Sequence, residues 1–311
     1  KDYLGVGSHS TERMLGRASQ YFPVFEYYLE KHGMPESLKY LAVAESMLVP
    51  RAVSGASAAG LWQLMPATAR GMGLRVDRVV DERLDLYRST EVAVLMLKDL
   101  EQQFGDWYLA LAAYNCGPGR VRRAIRAAGG HTYYPKVKRF LPLESQQYVA
   151  AYVAAAYTVN YAGDYGLTPA AALDEDSVAS IQVYRSLNLR RMARALELPY
   201  RQLRKMNPSF VRGYVPRSKE GYRLRVPLEY KWIVNQHIWG RPNLVMLPQA
   251  DENELALAGQ FAADTDFDVR AWLLGCSSAN VVYDAPIMQR ELEKDWTLAY
   301  YDSFAAVAIA D

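Results

Sequence analysis

The sequence has few of the residues on which many proteins rely. The 311 residues include two cysteines and four histidines. Two cysteines are too few for a disulfide framework. The histidines His9, His32, His131 and His237 stand at no spacing typical of metal ligands, so no metal or other cofactor is expected. The 36 basic and 34 acidic residues give a net charge of +2, so no nucleic-acid partner is expected. No stretch approaches the ~20 apolar residues of a membrane-spanning helix.

One short sequence imitates a processing signal. Leu273-Leu274-Gly275-Cys276 matches a lipoprotein cleavage box, but such a box works only at the end of an N-terminal signal with a longer apolar run. Lipidation of Cys276 is therefore not expected. The other cysteine, Cys116, is expected to be a small buried thiol at a helix end. The sequence begins at Lys1, and membrane attachment is expected only through a segment that this sequence does not include.

Helical patterns fill the first half of the chain. Apolar spacing and stop signals predict a polar helical lead-in over 1–20 and helices over 21–31, 35–48, 66–71, 89–104, 106–115, 119–130 and 143–161. A cluster of acidic residues lies between the helices predicted over 66–71 and 89–104, and such a cluster could suggest a metal site. Helix caps and surface ion pairs are the commoner use of such clusters. We therefore predict those roles for Asp77, Asp81, Glu82 and Asp85.

Glu45 stands out within the helix predicted over 35–48. It follows Leu41 by four residues and Ala42 by three, so it lies on the apolar side of the helix. Burial of a carboxyl group without a partner raises its pKa and keeps it protonated near neutrality, as a general acid requires. The alternative is a buried glutamate that only bonds to a neighbouring loop.

Further motifs follow Glu45-Ser46 in a fixed order. These are Ser54, Gly60-Leu61-Trp62-Gln63 with Met65-Pro66, Ala113-Tyr114-Asn115, and Glu144 with Tyr148. In this order, over about residues 20–165, they resemble the lytic transglycosylase domain that shares its fold with goose-type lysozyme. The stretches 80–87 and 104–115 are similar to the membrane-bound murein transglycosylase D branch. Ser145-Gln146 stand where that branch usually has Thr-Arg, and Leu86 replaces a common Pro.

The resemblance implies a reaction that needs a single acidic residue. Glu45 would protonate the oxygen between N-acetylmuramic acid and N-acetylglucosamine. It would then accept the proton of the muramoyl C6 hydroxyl, which closes a 1,6-anhydro ring. Because the nucleophile is intramolecular, no second carboxylate is required.

The same resemblance implies roles for the other motif residues. Ser46 and Ser54 would bind the acetamido group or orient Glu45, and Tyr148 would lie near Glu45. Trp62 is either a stacking surface for a sugar or a core residue. Contacts to the sugars are expected from Gln63, Met65, Tyr114, Asn115 and Glu144.

The second half of the chain has a different pattern. A strand over 181–185, helices over 188–196 and 199–207, and a strand over 222–227 resemble a βααβ LysM glycan-binding module, although the usual Gly-Asp-Thr-Leu start is absent. Residues 241–291 repeat the plan more faintly. For both units the alternative is a small α+β domain that packs without binding glycan.

These observations predict a mostly α fold. An α-helical, lysozyme-like catalytic domain (1–168) precedes one or two LysM-like modules (177–232 and, more degenerate, 241–291), with an unassigned tail over 292–311. The expected partner is the peptidoglycan glycan strand, in the periplasm of a bacterial envelope, with anchoring at the outer membrane as a further option. The alternatives are a goose-type lysozyme-like hydrolase and a non-catalytic peptidoglycan-binding scaffold.

Overall fold

The computed structural model describes residues 3–4, 7–171, 177–231 and 234, and the backbone alone of 296–301 and 305–310. The chain forms two compact units. One comprises Lys1–Glu175 with Pro208–Arg212, and the other comprises Asp176–Asn207 with Gly213–Asp311. The faint repeat predicted over 241–291 lies outside the described residues, as do Cys276 and His237.

The first unit is helical, as predicted. Its described helices are α1 (Ser8–Lys31), α2 (Tyr40–Ser46), α3 (Pro66–Gly71), α4 (Leu86–Phe104), α5 (Trp107–Cys116), α6 (Pro118–Ala127), α7 (Tyr134–Val137) and α8 (Leu143–Asn160). They surround one apolar core, to which α1, α2, α4, α5 and α8 contribute most of the buried side chains. Cys116 is a half-buried free thiol at the end of α5.

Several helix boundaries differ from the sequence prediction, among them those of α1, α2 and α4. The lead-in and the helix over 21–31 form the single helix α1. The buried stripe through Met14, Ala18 and Phe25 is continuous, and its packing outweighs the tendency of Pro23 to break the helix. Residues Glu36–Lys39 form a 3₁₀ turn, which shortens the predicted 35–48 helix. Helix α4 begins at Leu86, three residues earlier than predicted, because Asp85 caps it.

The acidic cluster before α4 has the predicted capping and pairing roles. The Asp85 carboxylate accepts hydrogen bonds from the backbone N–H groups of residues 87 and 88. Asp81 caps the 3₁₀ turn Glu82–Leu84 and forms an ion pair with Arg83. Asp77 forms an ion pair with Arg75, and Glu82 accepts from the Arg75 N–H group. These bonds satisfy free backbone donors at the starts of the turns.

The second unit has the predicted βααβ order. Strand β1 (Val178–Val183) pairs antiparallel with β4 (Tyr222–Pro227), and between them lie β2 (Leu187–Asn188), α9 (Leu189–Ala195), α10 (Tyr200–Met206) and β3 (Tyr214–Val215). Strands β2 and β3 also pair antiparallel. The buried residues Leu189, Leu203 and Leu224 form part of the unit's apolar interior.

In the 292–311 tail, which the sequence left unassigned, β5 (Trp296–Tyr301) and β6 (Ala305–Ala310) pair antiparallel. None of the helices in the described ranges combines the length and the apolar character that a membrane span requires.

Candidate active site

Glu45 lies near the C-terminal end of α2 and is half-buried. The preceding residues Leu41 and Ala42 are fully buried, and Glu45 follows them at the edge of this buried surface; its role as general acid stays a prediction. The hydroxyl of Tyr148, on α8, donates a hydrogen bond to Oε1 of Glu45. Helices α2 and α8 pack against each other, which brings these two residues together although 103 positions separate them.

The chain reverses direction directly after α2. Met47 and Leu48 both adopt left-handed backbone angles, with φ of 53° and 57°, a conformation that non-glycine residues rarely occupy. Leu48 is fully buried, and the guanidinium of Arg17 donates to the Met47 carbonyl at 2.8 Å. The turn therefore depends on packing and on α1, and it sets where α2 ends and where Glu45 points.

Tyr114, at the end of α5, also lies in the electrostatic field of Glu45. Burial, and to a smaller extent the negative charge of Glu45, raise the pKa of the Tyr114 hydroxyl well above its usual range. The same two causes, in the same order, raise the pKa of Tyr148. Both phenols therefore remain protonated throughout the physiological pH range, so each can only donate or accept a hydrogen bond as a neutral group.

A loop between α2 and α3 borders Glu45, and the predicted motif residues hold it together. Ser46, which is 8% exposed, has its Oγ within 2.8 Å of the carbonyl oxygen of Leu61 and 3.0 Å of that of Ala42. Of the two roles predicted for Ser46, these contacts favour orienting Glu45. The Tyr114 hydroxyl donates to the carbonyl of Trp62 at 2.7 Å, so α5 also anchors the loop.

Gln63 stabilises the same loop from within. Its Nε2 donates to the carbonyl oxygens of Ala52, at 3.1 Å, and Gly60, at 2.9 Å, and its backbone has a φ of 46°. Ser54 is exposed, and its Oγ accepts a hydrogen bond from the Ala58 N–H group at 3.0 Å. Met65, just before α3, is 43% exposed. Sugar contacts by Gln63, Ser54 and Met65 remain predictions.

Arg83, a buried residue that the sequence reasoning did not single out, also stabilises the loop between α2 and α3. Arg83 is 7% exposed and its Nη1 donates to the carbonyls of Ser57, at 2.7 Å, and Leu64, at 3.1 Å. Asp81 bonds to Nε and Nη2 of the same guanidinium. A planar group with five donors can bridge a carboxylate and two carbonyls at once. Arg83 thereby links the acidic cluster to the loop beside Glu45.

Asn115 is held by a residue that the sequence analysis noted only as a departure from the family pattern. The Oγ of Ser145, a fully buried residue of α8, donates to Oδ1 of Asn115 at 2.6 Å. The amide nitrogen of Asn115 must then face the other way. The usual threonine at this position also carries a hydroxyl, which is the signal that could have identified Ser145 as a positioning residue.

The two remaining candidates for sugar contacts, Trp62 and Glu144, lie in different environments. Trp62 has no exposed surface, its ring packs 4.8 Å from that of Phe25, and its Nε1 donates to Thr90 Oγ1 at 2.9 Å. It is therefore a core residue and not a stacking surface. Glu144 is exposed in the first turn of α8, one turn before Tyr148, and contributes weakly to the raised pKa of that tyrosine.

Across the ranges that the structure describes, no three residues among His, Cys, Asp and Glu are grouped as metal ligands. The site instead consists of one half-buried carboxyl group, two neutral phenols and an amide whose orientation is fixed. Such a set can transfer a proton to or from a bound polyhydroxyl substrate. Helical domain and site together define a lysozyme-like domain.

Comparisons with known proteins agree with this class. The model of the family "Transglycosylase SLT domain" matches residues 22–136, and that of "Lytic transglycosylase MltD, LysM-like domain" matches residues 177–237. Membrane-bound lytic murein transglycosylase D of Escherichia coli is 33% identical over 195 residues, which are 61% of this chain and 43% of that protein.

Two further proteins are similar over shorter stretches. Membrane-bound lytic murein transglycosylase F of Yersinia pestis is 32% identical over 164 residues, 47% of this chain and 32% of that protein. The crystal structure of the 70 kDa soluble lytic transglycosylase of Escherichia coli matches with 28% identity and a TM-score of 0.40, covering 46% of this chain and 24% of that one. The chain spans less than half the length of the two curated relatives named here.

The chain therefore contains an SLT transglycosylase domain followed by an MltD-type LysM-like domain. It is homologous to membrane-bound lytic murein transglycosylase D of Escherichia coli.

Proposed function

We propose that this protein is a peptidoglycan lytic transglycosylase, which cleaves the bond between N-acetylmuramic acid and N-acetylglucosamine without water and leaves 1,6-anhydromuramoyl ends. The observation that carries the proposal is the contact between Glu45 and Tyr148 in a domain of the SLT type. A carboxyl group that is half-buried and bonded to a neutral phenol can alternate between an acid and a base.

In the first step, Glu45 gives its proton to the glycosidic oxygen as the bond from that oxygen to the muramoyl C1 breaks. Positive charge then develops at C1, and the carbonyl of the 2-acetamido group stabilises it. The hydrogen bond from Tyr148 stabilises the carboxylate that Glu45 has become, because a donor favours the ionised form. Since the pKa of Tyr148 is well above its usual range, this phenol does not lose its proton to Glu45.

In the second step, the C6 hydroxyl of the same sugar attacks C1, and its proton returns to Glu45. The bond from O6 to C1 replaces the broken one, so the enzyme ends in its starting protonation state. An attacking group within the substrate has a high effective molarity, and this removes the need for the second carboxylate of hydrolytic glycosidases.

The remaining motif residues would position the sugars. We propose that Gln63, Met65 and Asn115 contact the sugar rings, that Ser54 meets the acetamido group and that Glu144 meets the muramoyl unit. Ser46 and Tyr114 would act mainly by holding α2 and the loop in place, since their described hydrogen bonds go to backbone carbonyls.

The product decides between this proposal and hydrolysis. Isolated sacculi are digested with the protein, and the released muropeptides are analysed by mass spectrometry. Anhydromuramoyl products are one water lighter than the reducing ends that a goose-type lysozyme-like hydrolase would leave. Products with reducing ends, or no products while the protein still sediments with sacculi, would support the hydrolase or the non-catalytic scaffold instead.

The matched variants are Glu45→Gln and Glu30→Gln, the second being an exposed glutamate on α1. Both replace a carboxyl group by an amide of almost the same shape, which cannot give up a proton as an acid does. We expect Glu45→Gln to lose product release and keep sedimentation with sacculi, and Glu30→Gln to behave like wild type. Release by Glu45→Gln at the wild-type rate would refute the assignment.

The proposed function places the protein in the bacterial cell envelope, where its substrate lies. We propose a periplasmic location with anchoring at the outer membrane, and that the LysM-like module binds glycan strands. Fractionation of cells tests the location. Removal of residues 177–311 tests the module, because the remaining protein should then sediment less with sacculi.

A further inference from the structure

The charge of this protein is unevenly distributed. Residues 107–143 contain no aspartate or glutamate. The same stretch contains seven basic residues, namely Arg120, Arg122, Arg123, Arg126, Lys136, Lys138 and Arg139. The rest of the chain has 29 basic residues against 34 acidic ones, so the small net charge of +2 conceals one strongly cationic segment.

The fold brings these residues to one surface, which we call the basic face. Helix α6 packs against α7 and against the 3₁₀ turn Lys138–Phe140, with Val121, Ala124 and Val137 buried at 2% exposure or less. All seven basic residues of this segment are exposed or half-exposed. Apolar residues anchor the inner side, and the outer side is left to positive charge.

Several cations elsewhere in the described residues have acidic partners. Lys31 pairs with Glu91, and Lys39 pairs with both Glu26 and Glu36. In the described ranges no ion pair joins a residue of the basic face to an acid. Mutual repulsion of unpaired like charges destabilises the folded state, so an external anion that covers them would be bound favourably.

The basic face adjoins the proposed active site. Helix α6 begins three residues after Asn115, with Gly117 between the two helices, and Nη1 of Arg120 donates to the Cys116 carbonyl at 3.2 Å. From Arg120 to Arg126 the helix extends roughly 9 Å. A polymer that leaves the site past Asn115 therefore meets a row of guanidinium groups.

We propose that the basic face binds the carboxylates of the peptide side chains that substitute the glycan strand, so that the enzyme prefers peptide-bearing strands to bare ones. This inference rests on the proposed function and specifies its substrate. The observations favour a carboxylate-bearing polymer over a membrane, because the cations begin at the end of the helix that carries Tyr114 and Asn115. Arginine can bind a carboxylate with two parallel hydrogen bonds.

The test compares two substrates and two double variants. The substrates are intact sacculi and sacculi from which an amidase has removed the peptides. Arg122→Glu/Arg126→Glu reverses two charges of the basic face, and Arg13→Glu/Arg78→Glu makes the same change at exposed positions elsewhere. Arg122→Gln/Arg126→Gln separates loss of attraction from new repulsion. Product release and cosedimentation are measured for every combination, at low and at raised salt.

We expect Arg122→Glu/Arg126→Glu to reduce release and binding about tenfold on peptide-bearing sacculi, and by less than about twofold on stripped sacculi. The glutamine variant should show a smaller loss, and Arg13→Glu/Arg78→Glu should match wild type. Raised salt should weaken the wild type on peptide-bearing material. Equal effects of the basic-face variant on both substrates, or none on either, would overturn the inference.

Two other results have separate meanings. If the wild type yields no anhydromuramoyl ends from either substrate, the proposed function fails, and the cosedimentation results still decide whether the basic face recognises the peptides. If the variant loses only its cosedimentation with vesicles of anionic phospholipid, and keeps wild-type behaviour on both sacculi, the basic face is a membrane surface and the inference is wrong.

Discussion

The Tyr148 hydroxyl donates a hydrogen bond to the Glu45 carboxylate from a helix that lies 103 residues further along the chain. Tyr148 is 8% exposed, and burial, followed by the negative charge of Glu45, raises the pKa of its hydroxyl well above the usual range. The two residues therefore influence each other: the carboxylate adds to the effect of burial in keeping the phenol neutral, and the phenol stabilises the carboxylate. Neither helix alone would create this pair.

Tyr148→Phe removes the donor and keeps the ring. Because a hydrogen bond to the ionised form lowers the pKa of an acid, its loss should raise the pKa of Glu45. An acid that must start protonated then works up to a higher pH, so the alkaline limb of the rate profile should move upwards. The rate itself should fall roughly 10- to 100-fold, as expected for loss of a bond to a charged group. Product release measured across pH tests both effects.

Tyr152→Phe is the control for that experiment. Tyr152 lies one turn further along α8, and its hydroxyl donates to the Ser37 carbonyl at 3.1 Å. The substitution Tyr152→Phe should change neither the rate of product release nor its pH profile. If the two variants shift the alkaline limb equally, the bond to Glu45 does not control its proton.

Ser145→Ala should disturb Asn115 without touching the substrate. The Oγ of the fully buried Ser145 donates to Oδ1 of the half-buried Asn115 at 2.6 Å, and loss of this hydrogen bond should destabilise the protein by about 1 kcal/mol. We expect KM to rise several-fold while kcat changes little, as is typical when binding alone is affected. Ser145→Thr should restore wild-type kinetics because it keeps the hydroxyl. A threonine variant as impaired as the alanine variant would show that the hydroxyl is irrelevant.

Sequence reasoning singled out Glu45 and the motifs around it, because apolar spacing and ordered motifs are local signals; their roles in the reaction stay predictions. It predicted the helix order and the βααβ pattern for the same reason. It missed the roles of Arg83 and Ser145, since each acts on residues far away in sequence. It also left Trp62 undecided, because a tryptophan beside a motif gives no local sign of whether its face meets solvent or Phe25.

The end of α2 shows the same limit. The apolar pattern continues through Leu48, so it favours a longer helix. The structure instead places Met47 and Leu48 in left-handed conformations, with Leu48 buried and the Met47 carbonyl bonded to Arg17. Such a reversal depends on tertiary contacts that outweigh local preference, and the sequence pattern does not encode them.

Trp62→Phe should reduce stability far more than activity per folded molecule. The indole is completely buried, and its Nε1 donates to Thr90 Oγ1 at 2.9 Å. Loss of that bond and of part of the packing should lower the free energy of unfolding by about 2 kcal/mol. Urea denaturation measures this change, and KM for soluble glycan fragments should stay at the wild-type value. A large rise in KM with unchanged stability would return Trp62 to the sugar-stacking role.

Gly60→Ala should disrupt the loop beside Glu45. Gly60 has a φ of 84°, a backbone conformation that residues with a side chain rarely adopt. A Cβ at this position would also lie 2.0 Å from the carbonyl oxygen of Arg83, which is too close. We expect a loss of about 3 kcal/mol in the free energy of unfolding and a large fall in product release. Gly55→Ala is the matched control in the same loop, because a Cβ there meets nothing within 4 Å and the change should be nearly neutral. The loop geometry would be wrong if Gly60→Ala were as stable and active as Gly55→Ala.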